Sequence, residues 1–374
     1  MKYFLLFSII IFLASCNKNK VRIIQTKEIN ININNDEIIK KPFRFNLNGG
    51  VINYKNKDYI FYLDKENSII EFYSISDENN FSIKLDKSFF DNEKEYNYYN
   101  LLTNNNVFYL LSYPNVIYTI NKDGNIINTT NINDFSSVYK NPEFDVFRQD
   151  PILDSKGKIY SNIFFNTQTY LDYYKVEKIN LEIVKLIKND FPTIAEINLN
   201  KRKISYKMKQ PVYLSNYKDL TSTAFILNNS SIYFSFNKSD TIYIYDNEQI
   251  TKKVLKSKYI SKFNKCNHPL DFNLSRKYSI VEPCYISLLK DEKNKFIYRV
   301  AKHRAEYLDN DLIRDVTDVD WSIIISDFDM NIIDEIKFNY DNEKYLVYSY
   351  KGGFITLKNN KHRIIFNVYK IQNK

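Results

Sequence analysis

Val107-Phe108-Tyr109-Leu110-Leu111-Ser112, then Val116-Ile117-Tyr118-Thr119-Ile120, the turn Asn121-Lys122-Asp123-Gly124, and a third run over residues 126–132 form the stretch that decides the fold. Short runs of aromatic and β-branched residues broken by polar turns are the signature of successive antiparallel strands. The same pattern returns at 231–236, 241–245 and 250–255 around Asp246-Asn247-Glu248. It returns again at 296–301, 321–326 and 332–338 around Asp327-Phe328-Asp329-Met330.

Working outward, each unit opens on Ile or Phe followed by an aromatic residue or, in the last, by Thr: Ile60-Phe61, Phe108-Tyr109, Ile159-Tyr160, Ile232-Tyr233, Ile297-Tyr298 and Ile355-Thr356. The pairs recur at intervals of roughly 50–70 residues, near the length of a propeller blade, and each unit reads as three strands. The chain is therefore expected to be all-β, a six-bladed β-propeller. Its last unit, over 345–371, runs out of chain before an outer strand, while 21–33 is strand-like and has no blade of its own. Pairing the two closes the ring by an N-terminal strand and leaves no free sheet edge. A β-sandwich or a pair of β-domains is the competing architecture. Helical periodicity is nearly absent; the best candidate, 181–188, is cut off by Pro192. No Pro/Gly/Ser-rich linker divides the chain, so 16–374 is expected to be a single domain.

Residues 1–15 have the form of a signal peptide: Lys2 is basic, 3–13 is apolar, and small residues follow. Leu13-Ala14-Ser15-Cys16 resembles a bacterial lipobox, in which the cysteine is acylated and the chain is cut before it. The apolar run is short of the ~20 residues that span a bilayer. Acyl chains instead hold a protein by burying methylenes at about 0.8 kcal/mol each. The expectation is an outer-membrane lipoprotein, tethered at Cys16. Asn17-Lys18-Asn19-Lys20 lacks the acidic run of a surface-export signal, which favours the periplasmic face.

Lys and Arg number 53 against 44 Asp and Glu, a net charge of +9. The basic residues are scattered and interleaved with acids, which argues against nucleic acid and for a mild attraction to anionic membrane surfaces. Abundant Lys, Asn, Ile, Tyr and Phe look like the codon bias of an AT-rich genome. With Cys16 taken by lipid, Cys266 and Cys284 remain, either as a disulfide worth about 3 kcal/mol or as two free thiols. His268 beside Cys266 raises a metal site, but no fourth ligand is evident. No metal or cofactor is expected.

The segments Asp240-Thr241-Ile242-Tyr243, Lys256-Ser257-Lys258-Tyr259-Ile260, Tyr298-Arg299, Ile323-Ile324-Ile325-Ser326-Asp327 and Gly352-Gly353-Phe354 resemble a family of Bacteroidetes lipoproteins. That family is known as domain of unknown function 4221. The resemblance covers nearly all of 16–374 and implies a propeller-like fold and an envelope location. It implies no activity.

No nucleophile elbow, phosphate loop or His-Glu-x-x-His pattern is present, and six glycines are too few for phosphate-cradling loops. His268, His303 and His362 lie far apart, so no catalytic residue is assigned. The densest polar chemistry is an insertion between the fifth unit's first two strands, with His303, Arg304, Glu306, Arg314, Asp315, Asp318 and the only tryptophan, Trp321. Propeller loops of this kind emerge at a channel mouth, so these residues form the candidate ligand or partner loop; a plain solvated loop is the alternative. The aromatic residues mostly fill space between blades. The expected function is a non-enzymatic envelope module binding a protein, peptide or glycan. The alternative is a glycan hydrolase or lyase with carboxylates at the channel mouth, which for hydrolysis need to stand about 5–9.5 Å apart.

Overall fold

Every one of the six opening pairs lies in the second strand of a blade. The structure is a computed structural model describing residues 21–31, 48–86, 99–104, 107–144, 150–165, 167–179, 181–209, 223–247, 249–266, 271–309, 312–358, 360 and 363–373. The expected signal peptide and Cys16 lie outside the described residues. Six antiparallel sheets form a six-bladed β-propeller. Blade one is Gly49–Tyr54, Lys57–Asp64, Ile69–Ser74 and Phe81–Lys84; blade two is Tyr99–Asn104, Val107–Ser112, Val116–Asn121 and Ile126–Asn131. Blade three pairs both Pro142–Phe144 and Ile152–Leu153 with Lys158–Phe165, followed by Pro192–Asn198 and Lys203–Lys209. Blade four is Thr223–Asn228, Ser231–Phe236, Thr241–Asp246 and Gln249–Val254; blade five is Cys284–Asp291, Phe296–Lys302, Trp321–Asp327 and Ile332–Phe338. Blade six is Glu343–Tyr350, Gly353–Lys358, Ile364–Asn373 and, outermost, Val21–Ile31.

The three-strand unit expected from the sequence is thus corrected to four: each blade begins with an inner strand before its opening pair. Five of the six pairs are apolar at both positions, and Thr356 of the sixth is fully buried, because a blade is buried on both faces and adjacent side chains of a strand point to opposite faces. Ile60 enters the core between blades six and one while Phe61 enters that between one and two. Likewise Ile159 and Tyr160, and Ile297 and Tyr298, divide between the cores on either side of their blades. The hydrophobic core is accordingly a ring of six clusters, one per pair of neighbouring blades.

The closing strand forms as expected, in antiparallel register with Ile29 opposite Phe366, Ile23 opposite Ile371 and Val21 opposite Asn373. Val21, Ile29 and Ile31 are buried. The outer strand of blade four, Gln249–Val254, is exposed along its whole length. Among the described helices, Leu181–Asp190 matches the sequence candidate, but Thr167–Tyr174 and Phe272–Val281 do not. The first fully buries no side chain and packs on the core only through the partly buried Tyr170 and Tyr174, a weak signal in sequence. The second is signalled by its cap, Asp271, whose carboxylate accepts from Leu274 N at 2.9 Å.

Hairpins joining first to second strands are short, as at Asn229-Ser230 and Lys351-Gly352, and emerge on one face of the ring. Connections between second and third strands and between blades emerge on the opposite face. That face carries the blade-three helices, Phe272–Val281 and the insertion over 303–320.

Candidate functional site

The insertion does not assemble its sequence-selected residues into one surface. Trp321 is fully buried, stacked on Phe338 at 4.3 Å, and its Nε1 donates to the Glu343 carbonyl at 2.9 Å. His303 is 7% exposed and its Nε2 lies 2.9 Å from Ser322 Oγ. Arg304 donates both Nη atoms to Glu282, at 2.6 and 2.8 Å. Arg314 donates to the Asp318 carbonyl at 2.7 Å and lies over the Tyr340 ring. Asp315 accepts from Thr317 N and Oγ1, and Asp318 pairs with Lys344. Arg304, Glu306 and Asp315 are exposed. So are three apolar residues, Leu308, Leu312 and Ile313, in a small hairpin where Leu308 faces Ile313 and Asp309 faces Leu312. The loop that reads as polar in sequence presents an aliphatic tip.

His303, Ser322 and Glu335 superficially evoke a nucleophile with its base. The hydrogens say otherwise. Ser322 Oγ donates to Glu335 Oε1 at 2.6 Å, and Ser257 Oγ donates to the same oxygen at 2.5 Å. A hydroxyl has one hydrogen, so His303 Nε2 must donate to Ser322 and cannot take its proton. Ser257 and Ser322 are fully buried. Burial, helped by the Lys337 charge and opposed by Asp320, lowers the His303 pKa to about 4. This network braces the joint between blades four and five.

Cys266 and Cys284 are free thiols, the first buried and the second half-buried, so the disulfide alternative is not realised. His268 and His362 lie outside the described residues.

A cavity of about 580 Å³ lies on the ring axis. Its walls come from the inner strands of blades one, three, four, five and six, with Val316 and Thr317 of the insertion at one end. Most of the lining is aliphatic, including Val51, Ile152, Ile226, Leu288 and Leu346. Of its two lysines, Lys344 is paired with Asp318 and Lys290 with Glu292 at 2.9 Å. Tyr345 donates to the Val316 carbonyl at 3.1 Å. Two groups differ. Asp150 has no ionic partner among the described residues, and burial alone raises its pKa to about 7. Tyr348 is 6% exposed with a phenol oxygen that has no hydrogen-bond partner; burial and then the Asp150 charge push its pKa well up. Sequence reasoning missed both, since neither belongs to a motif.

The carboxylates of this lining are Asp150 and Glu292, and Glu292 is engaged by Lys290. Asp150 lies beside Gly50, where a built Cβ would sit 3.3 Å from its Oδ2. Gly50 lies several residues before the hairpin of blade one, whereas Glu292 follows the inner strand of blade five.

No family model matches the sequence, and no curated protein matches it either. Solved structures do. One is a member of the domain of unknown function 4221 family from Bacteroides vulgatus, with TM-score 0.69 and 16% identity, covering 96% of this chain and 100% of that one. The chain shares that fold. An exported protein from Bacteroides fragilis aligns with TM-score 0.51 and 11% identity over 95% of each chain.

Within the shared fold, the segments that carry the sequence resemblance are braces between blades. Arg299 is fully buried and donates to the carbonyls of Ser239, Asp240 and Leu255 and to Ser235 Oγ. Its guanidinium lies 3.3 Å from the Tyr285 ring centroid, and Tyr285 in turn donates to Asp240 at 2.6 Å. Tyr298 donates to Asp291 at 2.7 Å, and Asp291 also accepts from Gly352 N at 2.9 Å, tying blade five to blade six. Gly353 is held to glycine because a Cβ there would meet the Tyr369 carbonyl oxygen at 1.9 Å.

Proposed function

We propose that this chain is an exported lipoprotein, acylated on Cys16 and held on the envelope membrane, whose propeller binds a ligand in its channel without transforming it. One observation carries the binding reading: the cavity of about 580 Å³ walled by inner strands of five blades, within the 300–1,000 Å³ usual for ligand sites. The neutral apolar dye Nile red should bind the protein saturably, one per chain. Leu346→Trp, which fills the cavity from its wall, should abolish that binding. Equal binding by the variant overturns the assignment.

The lipobox-like segment supports the anchor, and the topology gives it a direction. Cys16 lies five residues before Val21, at most roughly 18 Å of extended chain. Val21 sits opposite Asn373, at the end of blade six that carries the Lys351-Gly352 hairpin. The short-hairpin face is therefore held toward the membrane, and the insertion-bearing face points away, toward a protein, peptide or glycan partner. Arg304, Glu306, Asp315 and the Leu308, Leu312 and Ile313 tip are the contact surface on this reading. Cys16→Ala should leave unprocessed precursor and remove palmitate labelling; a variant that is still cut and labelled refutes the anchor.

A further inference from the structure

We propose that the channel cavity takes an apolar organic cation, a hydrophobic amine whose ammonium group meets the Asp150 carboxylate while its carbon skeleton fills the space between the inner strands. The inference rests on the cavity being the binding site and adds the class of ligand. It follows from counting charges around the lining. Lys290 is matched by Glu292 and Lys344 by Asp318, which leaves Asp150 as the one carboxylate of the lining without an ionic partner among the described residues. A half-buried carboxylate facing a largely aliphatic cavity without a cation is costly, and the site lowers that cost either by holding a proton or by accepting a positive ligand.

The neighbours of Asp150 suit an ammonium better than a neutral or anionic group. Gly50 brings a backbone with no side chain against the carboxylate. Tyr348 offers a phenol oxygen without a partner, free to accept one of the three ammonium hydrogens. Tyr345 and Tyr348 both line the cavity, and aromatic rings attract cations when water is excluded. The remaining wall is aliphatic and rewards a hydrocarbon body, so inorganic cations and strongly hydrated polyols fit it poorly. An anion would meet the Asp150 charge with no unpaired cation among the described lining residues to offset it.

Isosteres of differing charge test this. Residues 16–374 carrying Cys16→Ser, with no lipid or detergent to compete, are titrated calorimetrically with tryptamine, tryptophol and indole-3-acetate, and with octylamine against octanol. Each amine should bind at least tenfold more tightly than its alcohol, and the acetate should not bind. Asp150→Asn should reduce the amines to the level of the alcohols while leaving the melting temperature and Nile red binding in place. Tyr348→Phe should weaken the amines alone. Equal affinity for amine and alcohol, or amine binding unchanged in Asp150→Asn, overturns the cation assignment and leaves the cavity reading standing. If neither the probes nor Nile red bind, both fall.

Discussion

Ring closure makes one quantitative demand on the sequence. Ile29 and Ile31, in the outer strand of blade six, are 7% and 2% exposed and belong to the core between blades six and one. Truncating a buried isoleucine to alanine costs about 2–5 kcal/mol, so Ile29→Ala with Ile31→Ala should cost about 4–10 kcal/mol. With ~2.1 cal/mol/K of unfolding entropy per residue, a chain of 374 residues loses about 1.3 °C of melting temperature per kcal/mol. The double variant should therefore melt roughly 5–13 °C lower by circular dichroism. Ile250→Ala is the control, because Ile250 sits in the outer strand of blade four and is 50% exposed; surface changes of that kind stay within about 0.5 kcal/mol. A double variant that melts with the control would show that the first strand merely lies against a ring held shut by other means.

Two further outcomes follow from the blade-five joint. The His303 pKa is about 4 in the folded chain against an ordinary 6.5, so the unfolded chain binds more protons between these values. Its contribution is complete above pH 6.5 and is lost as the pH falls toward 4, by up to about 3 kcal/mol; urea unfolding against pH should show His303→Gln with a shallower acid slope, and identical slopes would refute it. Burial works against ionisation of Glu282, but hydrogen bonds from Arg304 and Asn264 outweigh it and hold the carboxyl below its usual range. Arg304→Ala should therefore destabilise by about 1–2 kcal/mol, discounted because Arg304 is partly exposed, with most of the loss absent in a Glu282→Gln background; a change within about 0.5 kcal/mol would make Arg304 a surface residue after all.

The strands were legible where both faces of a blade are buried. Residues 107–112 and 231–236 were placed to the residue, because aromatic and branched side chains at nearly every position mark a strand between two cores; 332–338, an outer strand that mixes Asp334, Glu335 and Lys337 with apolar residues, was found from the polar turn before it. Inner strands were not legible. Tyr99–Asn104 and Gly49–Tyr54 mix Asn and Gly with apolar residues, and in sequence they merge with the polar connections before them. The insertion misled in the opposite sense: a charged residue in sequence says nothing about whether its partner is near. Arg304 finds Glu282 from before the preceding hairpin, and Lys344 reaches back to Asp318 from the next blade, so part of that polarity is internal bracing. The cavity lay beyond sequence reasoning because Asp150 and Tyr348 come from different blades and meet only once the ring exists.

The hydrogen bond from Gln25 to Asn367 joins residues 342 positions apart. At about 5–20 residues per second of synthesis, the first strand of this protein waits roughly 15–70 s for the strand it pairs with. Until the final strand is in place the ring stays open, and the burial of Val21, Ile29 and Ile31 is incomplete. No earlier blade can relieve this, since each is complete within its own local segment. Loss of even the final ten residues to premature termination would strand the beginning of the chain as surely as it shortens its end. The protein's oldest segment is the last to find its place.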